Sequence, residues 1–234
     1  MALLSVEHVT RRFGGIVAVD DVSLDVGEGE IVGLIGPNGA GKTTLFNLIT
    51  RVYRADGGEI AFDGASLLKT APHRVVRRGI ARTFQNVELF SSMTVLEHVL
   101  LGRHARRGRR AREIVEYVGL AGLAHREAAQ LPYGTQKRVE LARALASGPR
   151  LLLLDEPAGG LNHAEVAELG GLIRRLRADF ELTILLVEHH MGLVMGVADR
   201  VHVLDFGRRI ASGTPREVQS DPAVIEAYLG TESG

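Results

Sequence analysis

Ile31-Val32-Gly33-Leu34-Ile35-Gly36-Pro37-Asn38-Gly39-Ala40-Gly41-Lys42-Thr43-Thr44-Leu45-Phe46-Asn47-Leu48-Ile49 is the stretch that decides the fold. Its first five residues form a short apolar run bounded by turn residues, which suits a buried parallel strand. Gly36 to Thr43 matches G-x-x-x-x-G-K-[ST], the loop that cradles phosphates. Leu45, Leu48 and Ile49 then repeat at helical spacing. The glycines let the backbone curl until several N–H groups face one point. The helix start behind them and the Lys42 ammonium add positive charge, and the Thr43 hydroxyl sits where Mg²⁺ would lie between the outer phosphates. Strand, loop and helix in that order imply a bound nucleoside triphosphate.

The 234 residues are enough for a full core, as one domain with an embedded subdomain. Lys plus Arg and Asp plus Glu are both 28, and zero net charge argues against nucleic acid as the main partner. The absence of Cys rules out disulfides and thiolate metal sites. Met1 to His8 has neither the charged start nor the long apolar centre of a signal peptide. No apolar stretch approaches the roughly 20 residues of a membrane span. A soluble cytosolic α/β protein is expected, with any membrane association made through a partner.

Outward from the phosphate loop, Val22, Leu24 and Val26 alternate with polar residues as in a half-buried strand. Leu3 to Thr10 reads as a second strand and Glu59 to Phe62 as a third, so an antiparallel sheet should bracket the loop. Thr70 is expected to cap a short helix that ends at Gly79, and Ile80 to Phe84 to form a strand with Gln85 at its tip. From Asn86 to Ser147 the pattern is helical, an inserted subdomain in which the six Arg between 103 and 112 read as a solvated face. Leu151 to Leu154 and Leu182 to Val187 are buried strands separated by a helix with an Asn162/Glu165 capping pair. A hairpin around Phe206-Gly207 and a capping box at Thr214/Glu217 precede the C-terminal helices.

Three polar groups fall at the carboxyl ends of these strands, the edge where open α/β sheets bind ligands. Asp155 follows four leucines and is placed to hold Mg²⁺ through water; Glu156 beside it can accept a proton from an attacking water. Gln85 can touch both metal and water, and His189 can donate to a γ-phosphate.

In that order, Gly36–Thr43, Gln85, Leu131-Pro132-Tyr133-Gly134-Thr135-Gln136, Asp155-Glu156 and His189 resemble an ATP-binding-cassette (ABC) ATPase across nearly the whole chain. The resemblance implies a P-loop NTPase of ABC ATPase type, α/β with a mostly parallel core sheet. Residues 1–85 would hold the antiparallel β subdomain and Walker A, 86–147 the helical subdomain with the signature, and 148–234 Walker B, the switch His and the C-terminal helices. It implies ATP and Mg²⁺ as cofactors. Glu156, His189, Gln85 and Lys42 would be catalytic, and Thr43, Gln85 and Asp155 would hold the metal. Phe13, Asn38, Gly39, Ala40, Gly41, Lys42, Thr43 and Thr44 would bind the nucleotide in cis. Pro132, Tyr133, Gly134 and Thr135 would meet the ATP of a second subunit.

Ile80–Asn86, Met93–Glu97, Glu156–Asn162, Val187–His189, Gly213–Pro215 and Ala227–Gly230 carry a narrower resemblance, to the ATPase of branched-chain amino acid importers with the Arg-Thr-Phe-Gln motif. Importers of urea or amides share much of it. The implied partners are transmembrane permease subunits, a second ATPase subunit and, indirectly, a solute-binding protein, with no nucleic acid. The implied location is the cytoplasmic face of the plasma membrane. Five positions depart from the family pattern, among them Tyr133 in place of a glycine and Thr135 in place of a glutamine. Pro132 replaces a serine that would offer ATP a hydroxyl and an N–H. Asn162 and His190 each stand where an aspartate is usual.

Overall fold

A computed structural model of the chain describes residues 2–105 and 110–229, so part of the basic run lies outside it. The N-terminal half forms β1 (Ala2–Phe13), β2 (Ile16–Gly27), β3 (Ile31–Ile35), α1 (Lys42–Ile49), β4 (Gly57–Phe62), β5 (Ala65–Ser66), α2 (Pro72–Arg78) and β6 (Ile80–Arg82). Then come α3 (Val95–Ala105), α4 (Ala111–Tyr117), α5 (Tyr133–Leu145), β7 (Leu151–Asp155), α6 (His163–Phe180) and β8 (Thr183–Val187). The chain continues through α7 (Met191–Val197), β9 (Arg200–Asp205), β10 (Arg208–Gly213), α8 (Pro215–Ser220) and α9 (Pro222–Leu229).

Two sheets result. The first is antiparallel with order β2-β1-β4-β5; the second has order β10-β9-β3-β8-β7-β6 and is parallel except for β10. The central strands of the second sheet are buried on both faces, which explains their unbroken apolar sequences. Leu151, Leu153, Leu185, Val187, Val32 and Leu34 pack with α1 and the antiparallel sheet. Leu152, Leu154, Ile184, Leu186, Ile31 and Ile35 pack with the helices on the other face. Each such leucine contributes roughly 1.5–3 kcal/mol by leaving water. Because β3, β6, β7 and β8 run parallel, the segments that follow them emerge along one edge.

The capping boxes at Asn162/Glu165 and Thr214/Glu217 both form. The strand expected to reach Phe84 stops at Arg82, where the chain leaves β7 after Thr83 donates to the Leu153 carbonyl. Thr70 does not cap α2: the N-cap is Ala71, and Pro72, whose fixed φ suits a first helical position, starts the helix one residue later.

Candidate active site

The loop after β3 closes tightly on its neighbours. Gly36 has φ +149°, and a Cβ there would lie 2.0 Å from the Leu204 carbonyl oxygen. Gly41 has φ +101°, with the Ala18 carbonyl 2.4 Å from where its Cβ would be. Only glycine fits either position. Lys42, at the start of α1, is nearly fully buried and turns back along the loop to donate to the carbonyls of Gly36 (2.6 Å) and Pro37 (2.9 Å). Burial pushes its ammonium below the ordinary lysine value, against the pull of Glu156 and Asp155. An ammonium held by two neutral carbonyls, with no carboxylate in contact among the described residues, is suited to an incoming anion.

Glu156 caps β7 in a left-handed conformation, φ 47°, that few non-glycine residues adopt. The Glu156 N–H donates to the Val187 carbonyl at 2.9 Å, which aims the side chain along the sheet edge. Gln85 Nε2 donates to Glu156 Oε2 at 2.7 Å, and His189 Nδ1 lies 3.4 Å from Glu156 Oε1. Gln85 and His189 are otherwise exposed, so both present their remaining polar atoms to solvent. The three groups singled out at the strand ends thus meet.

Asp155 is held differently. Its Oδ2 accepts from Arg82 Nη2 at 2.6 Å, while Oδ1 is buried with no partner. Arg82 also donates to Asn47 Oδ1 at 2.6 Å, with its guanidinium 5.5 Å from the Phe46 ring and 5.2 Å from the Phe84 ring. An orphaned carboxylate oxygen, the Thr43 hydroxyl and the Gln85 amide oxygen are hard donors of the kind Mg²⁺ takes. These residues therefore fit that ion.

Phe13, at the end of β1, stands edge-on to Tyr53, with ring centroids 5.1 Å apart. The Arg11 guanidinium lies 4.5 Å from the Phe13 centroid and is itself paired with Asp56 at 2.9 Å. The aromatic residue is thereby fixed in a half-exposed position.

The 131–136 segment opens α5. Pro132 is its N-cap and offers no side-chain bond; the N–H groups of Thr135 and Gln136 bond its carbonyl. This segment does not reach the phosphate loop of its own chain through any hydrogen bond among the described residues. The α5 helix instead holds the loop carrying Gln85. Lys137 Nζ donates to the carbonyls of Glu156 (3.0 Å) and Gln85 (3.4 Å), and Glu140 accepts from the Phe84 N–H at 3.1 Å.

The sequence reading missed Arg82, Lys137, Glu140 and Glu188. Lys137 and Glu140 were visible as an oppositely charged i, i+3 pair on α5. His190, unexplained from sequence, is the N-cap of α7: its Nδ1 accepts from the Leu193 N–H at 3.2 Å, the bond that an aspartate at that position would make. Asn162 likewise spends its side-chain oxygen on the Glu165 N–H.

The larger cavity, about 680 Å³, lies between α5 and α6 rather than over the phosphate loop. Among the charged groups lining it, Arg138 pairs with Glu168 at 2.5 Å and Glu165 accepts from the Asn162 N–H, so it reads as a gap between helices. A second groove, about 320 Å³, runs beside the Gln85 loop and is lined by Val52, Val76, Phe84, Leu101, Arg82 and Arg143.

Comparison with known proteins settles the family. The ABC transporter profile matches residues 19–159, more than half of the chain. The chain belongs to the ABC transporter family. Residues 208–233 also match a C-terminal profile of branched-chain amino acid ATP-binding cassette transporters. BraF of Pseudomonas aeruginosa, a high-affinity branched-chain amino acid transport ATP-binding protein, is 43% identical over 97% of this chain and 98% of its own. LivG of Escherichia coli, similarly described, is 44% identical over the same shares. The crystal structure of the ADP conformation of MJ1267, an ATP-binding cassette of an ABC transporter, superposes with a TM-score of 0.90. It is 32% identical over 98% of this chain and 99% of its own. The ABC fold expected from the motifs is therefore the fold of this chain.

Proposed function

We propose that this chain is the ATP-hydrolysing subunit of a membrane importer for branched-chain amino acids. The observation that carries the chemistry is the convergence of Gln85 (2.7 Å) and His189 (3.4 Å) on the Glu156 carboxylate, at the sheet edge that also bears the phosphate loop. Glu156 accepts the proton of the attacking water, and Gln85 holds that carboxylate in place. Lys42 and His189 stabilise charge on the γ-phosphate. Thr43, Gln85 and Asp155 would hold Mg²⁺, which would neutralise phosphate charge. Phe13 stacks on the base.

Pro132 to Thr135 make no hydrogen bond to their own phosphate loop among the described residues, which supports a site closed in trans by a second ATPase subunit. No helix among the described residues is long and apolar enough to cross a membrane, so transport requires permease subunits. The groove beside Phe84 and Leu101 is where a permease helix would dock, at the cytoplasmic face. The branched-chain assignment follows the names of BraF and LivG.

The test is reconstitution with the permease pair and the solute-binding protein in vesicles. ATP should drive uptake of leucine in preference to urea or acetamide, and Glu156→Gln should bind ATP yet lose uptake. Uptake of urea or amides alone would move the chain to a related importer. ATP turnover that no permease or solute changes would make it a non-transport ABC ATPase.

A further inference from the structure

Glu188 has no part in the chemistry just described, yet it is among the most deeply buried charged residues of the fold, 1% exposed. It follows the last residue of β8 and precedes His189. Its Oε1 accepts the N–H of Ala158 at 2.6 Å, and its Oε2 accepts the N–H groups of His189 (3.1 Å) and His190 (3.2 Å). One carboxylate therefore joins two loops distant in sequence. Ala158 lies two residues beyond Glu156, in the turn where the Gly159 N–H bonds the Glu156 carbonyl at 3.1 Å. His189 and His190 begin the segment that carries the switch histidine into α7.

A carboxylate is the side chain for this task. It only accepts, it has room for about four hydrogen bonds, and bonds from N–H groups to a charged acceptor are roughly twice as strong as neutral ones. Burying the charge would be costly without them. Lys137, whose ammonium is bound to the Glu156 carbonyl on the other side of the same turn, interacts favourably with the Glu188 charge. The His189 ring is half exposed, and its only polar contact among the described residues is the 3.4 Å approach to Glu156. What fixes that ring relative to Glu156 is thus largely its backbone, which Glu188 ties to the turn after Glu156, alongside the bond of the Glu156 N–H to the Val187 carbonyl.

We infer that Glu188 is a positioning residue for hydrolysis, setting the separation of Glu156 and His189 by clamping the two loops that bear them. This rests on the reading that Glu156 takes a proton from the attacking water and His189 acts on the γ-phosphate. A misplacement near 1 Å in such a pair costs on the order of 100-fold in rate. Among the described residues Glu188 makes no hydrogen bond to the phosphate loop, so nucleotide binding should be spared.

Glu188→Gln is nearly isosteric but has a single acceptor oxygen. Whichever way the amide turns, its NH₂ faces an N–H group, either that of Ala158 or those of His189 and His190. The expected result is a kcat for ATP lowered about 10- to 100-fold, with KM for ATP and the affinity for ADP within about twofold of the parent. The imidazole nitrogen resonances of His189 should shift in the nucleotide-free protein. Glu188→Asp, one methylene shorter, reaches only one loop and should show the same split. Unchanged kcat overturns the inference. So does a fall in kcat matched by equal falls in ADP affinity and melting temperature with His189 resonances unmoved, or failure of both variants to fold; either result makes Glu188 a determinant of the fold alone. Glu156→Gln run alongside separates the two readings. If it keeps turnover, the assignment of the base is wrong, whereas if it loses turnover while Glu188→Gln does not, only the clamp is wrong.

Discussion

Arg82 Nη2 and Asp155 Oδ2 lie 2.6 Å apart in a buried ion pair, with side chains only 8% and 2% exposed. The same guanidinium reaches Asn47 of α1 and lines the groove beside Phe84. It therefore connects the helix after the phosphate loop, the carboxylate proposed to hold the metal and the groove proposed to receive a permease helix. Arg82→Met strands Asp155 as an uncompensated buried charge, which typically costs about 3–5 kcal/mol. Urea unfolding should show a loss of that size. Adding Asp155→Asn should recover part of it, since the charge is then removed. A single variant as stable as the parent would mean that the pair contributes nothing to the fold.

Gly36 and Gly39 provide a matched comparison within one loop. At Gly36, φ +149° and a carbonyl oxygen 2.0 Å from the would-be Cβ exclude any side chain. At Gly39, φ +80° is strained for alanine, but nothing lies within 4 Å. Gly39→Ala should cost about 1–2 kcal/mol of left-handed strain and retain ATP binding. Gly36→Ala must move the Leu204 strand or the loop itself, and should lose ATP binding by at least about tenfold, equivalent to 1.4 kcal/mol. Calorimetric titration with ATP reads both, and equal effects would contradict the packing argument.

Residues that act locally were legible from sequence, and those that act across the fold were not. The phosphate loop, the Asn162 and Thr214 caps and the doubly buried strands each rest on spacing within about one turn or one strand. Arg82 and Asp155 are far apart in sequence, as are Ala158 and Glu188, and only the parallel register of β6, β7 and β8 brings them together. Glu188 read simply as a polar residue ending a strand. Its burial depends on the turn after β7 folding over it, which no periodicity encodes. Thr70 failed as a cap for the opposite reason: the local pattern was real, but Pro72 set the helix start.

His202 makes acid stability predictable. It is fully buried on β9, with Nε2 3.3 Å from the Asp25 carbonyl and Nδ1 without a partner. Burial, helped by Arg200 and Arg209 and opposed by the Asp25 carbonyl and carboxylate, pulls its pKa down to about 4. In the unfolded chain histidine titrates near 6.5. Above that both states are neutral and stability is full. Between about 6.5 and 4 the unfolded state takes up a proton that the folded state refuses, so stability falls with pH, by roughly 3 kcal/mol in all. His202→Leu should flatten this part of the urea-midpoint profile. An identical slope in both proteins would show that other groups set the acid limit.

Pro132 separates a cis effect from a trans one. As N-cap of α5 it leaves the first N–H groups of the helix without a side-chain acceptor. Pro132→Ser supplies a hydroxyl that can accept from Gly134 or Thr135 within the same chain, worth about 1 kcal/mol. In the proposed dimer the same hydroxyl, with the restored N–H, would face the γ-phosphate of the other subunit, where a helix start favours an anion. The two roles differ in their dependence on nucleotide. Without ATP the variant should unfold at higher urea yet remain monomeric. With ATP, in a Glu156→Gln background that blocks hydrolysis, sizing chromatography should show a larger dimer fraction than Glu156→Gln alone. Greater stability with no change in dimer fraction would confine the 132–135 segment to capping its own helix and leave the phosphates to be closed by other groups.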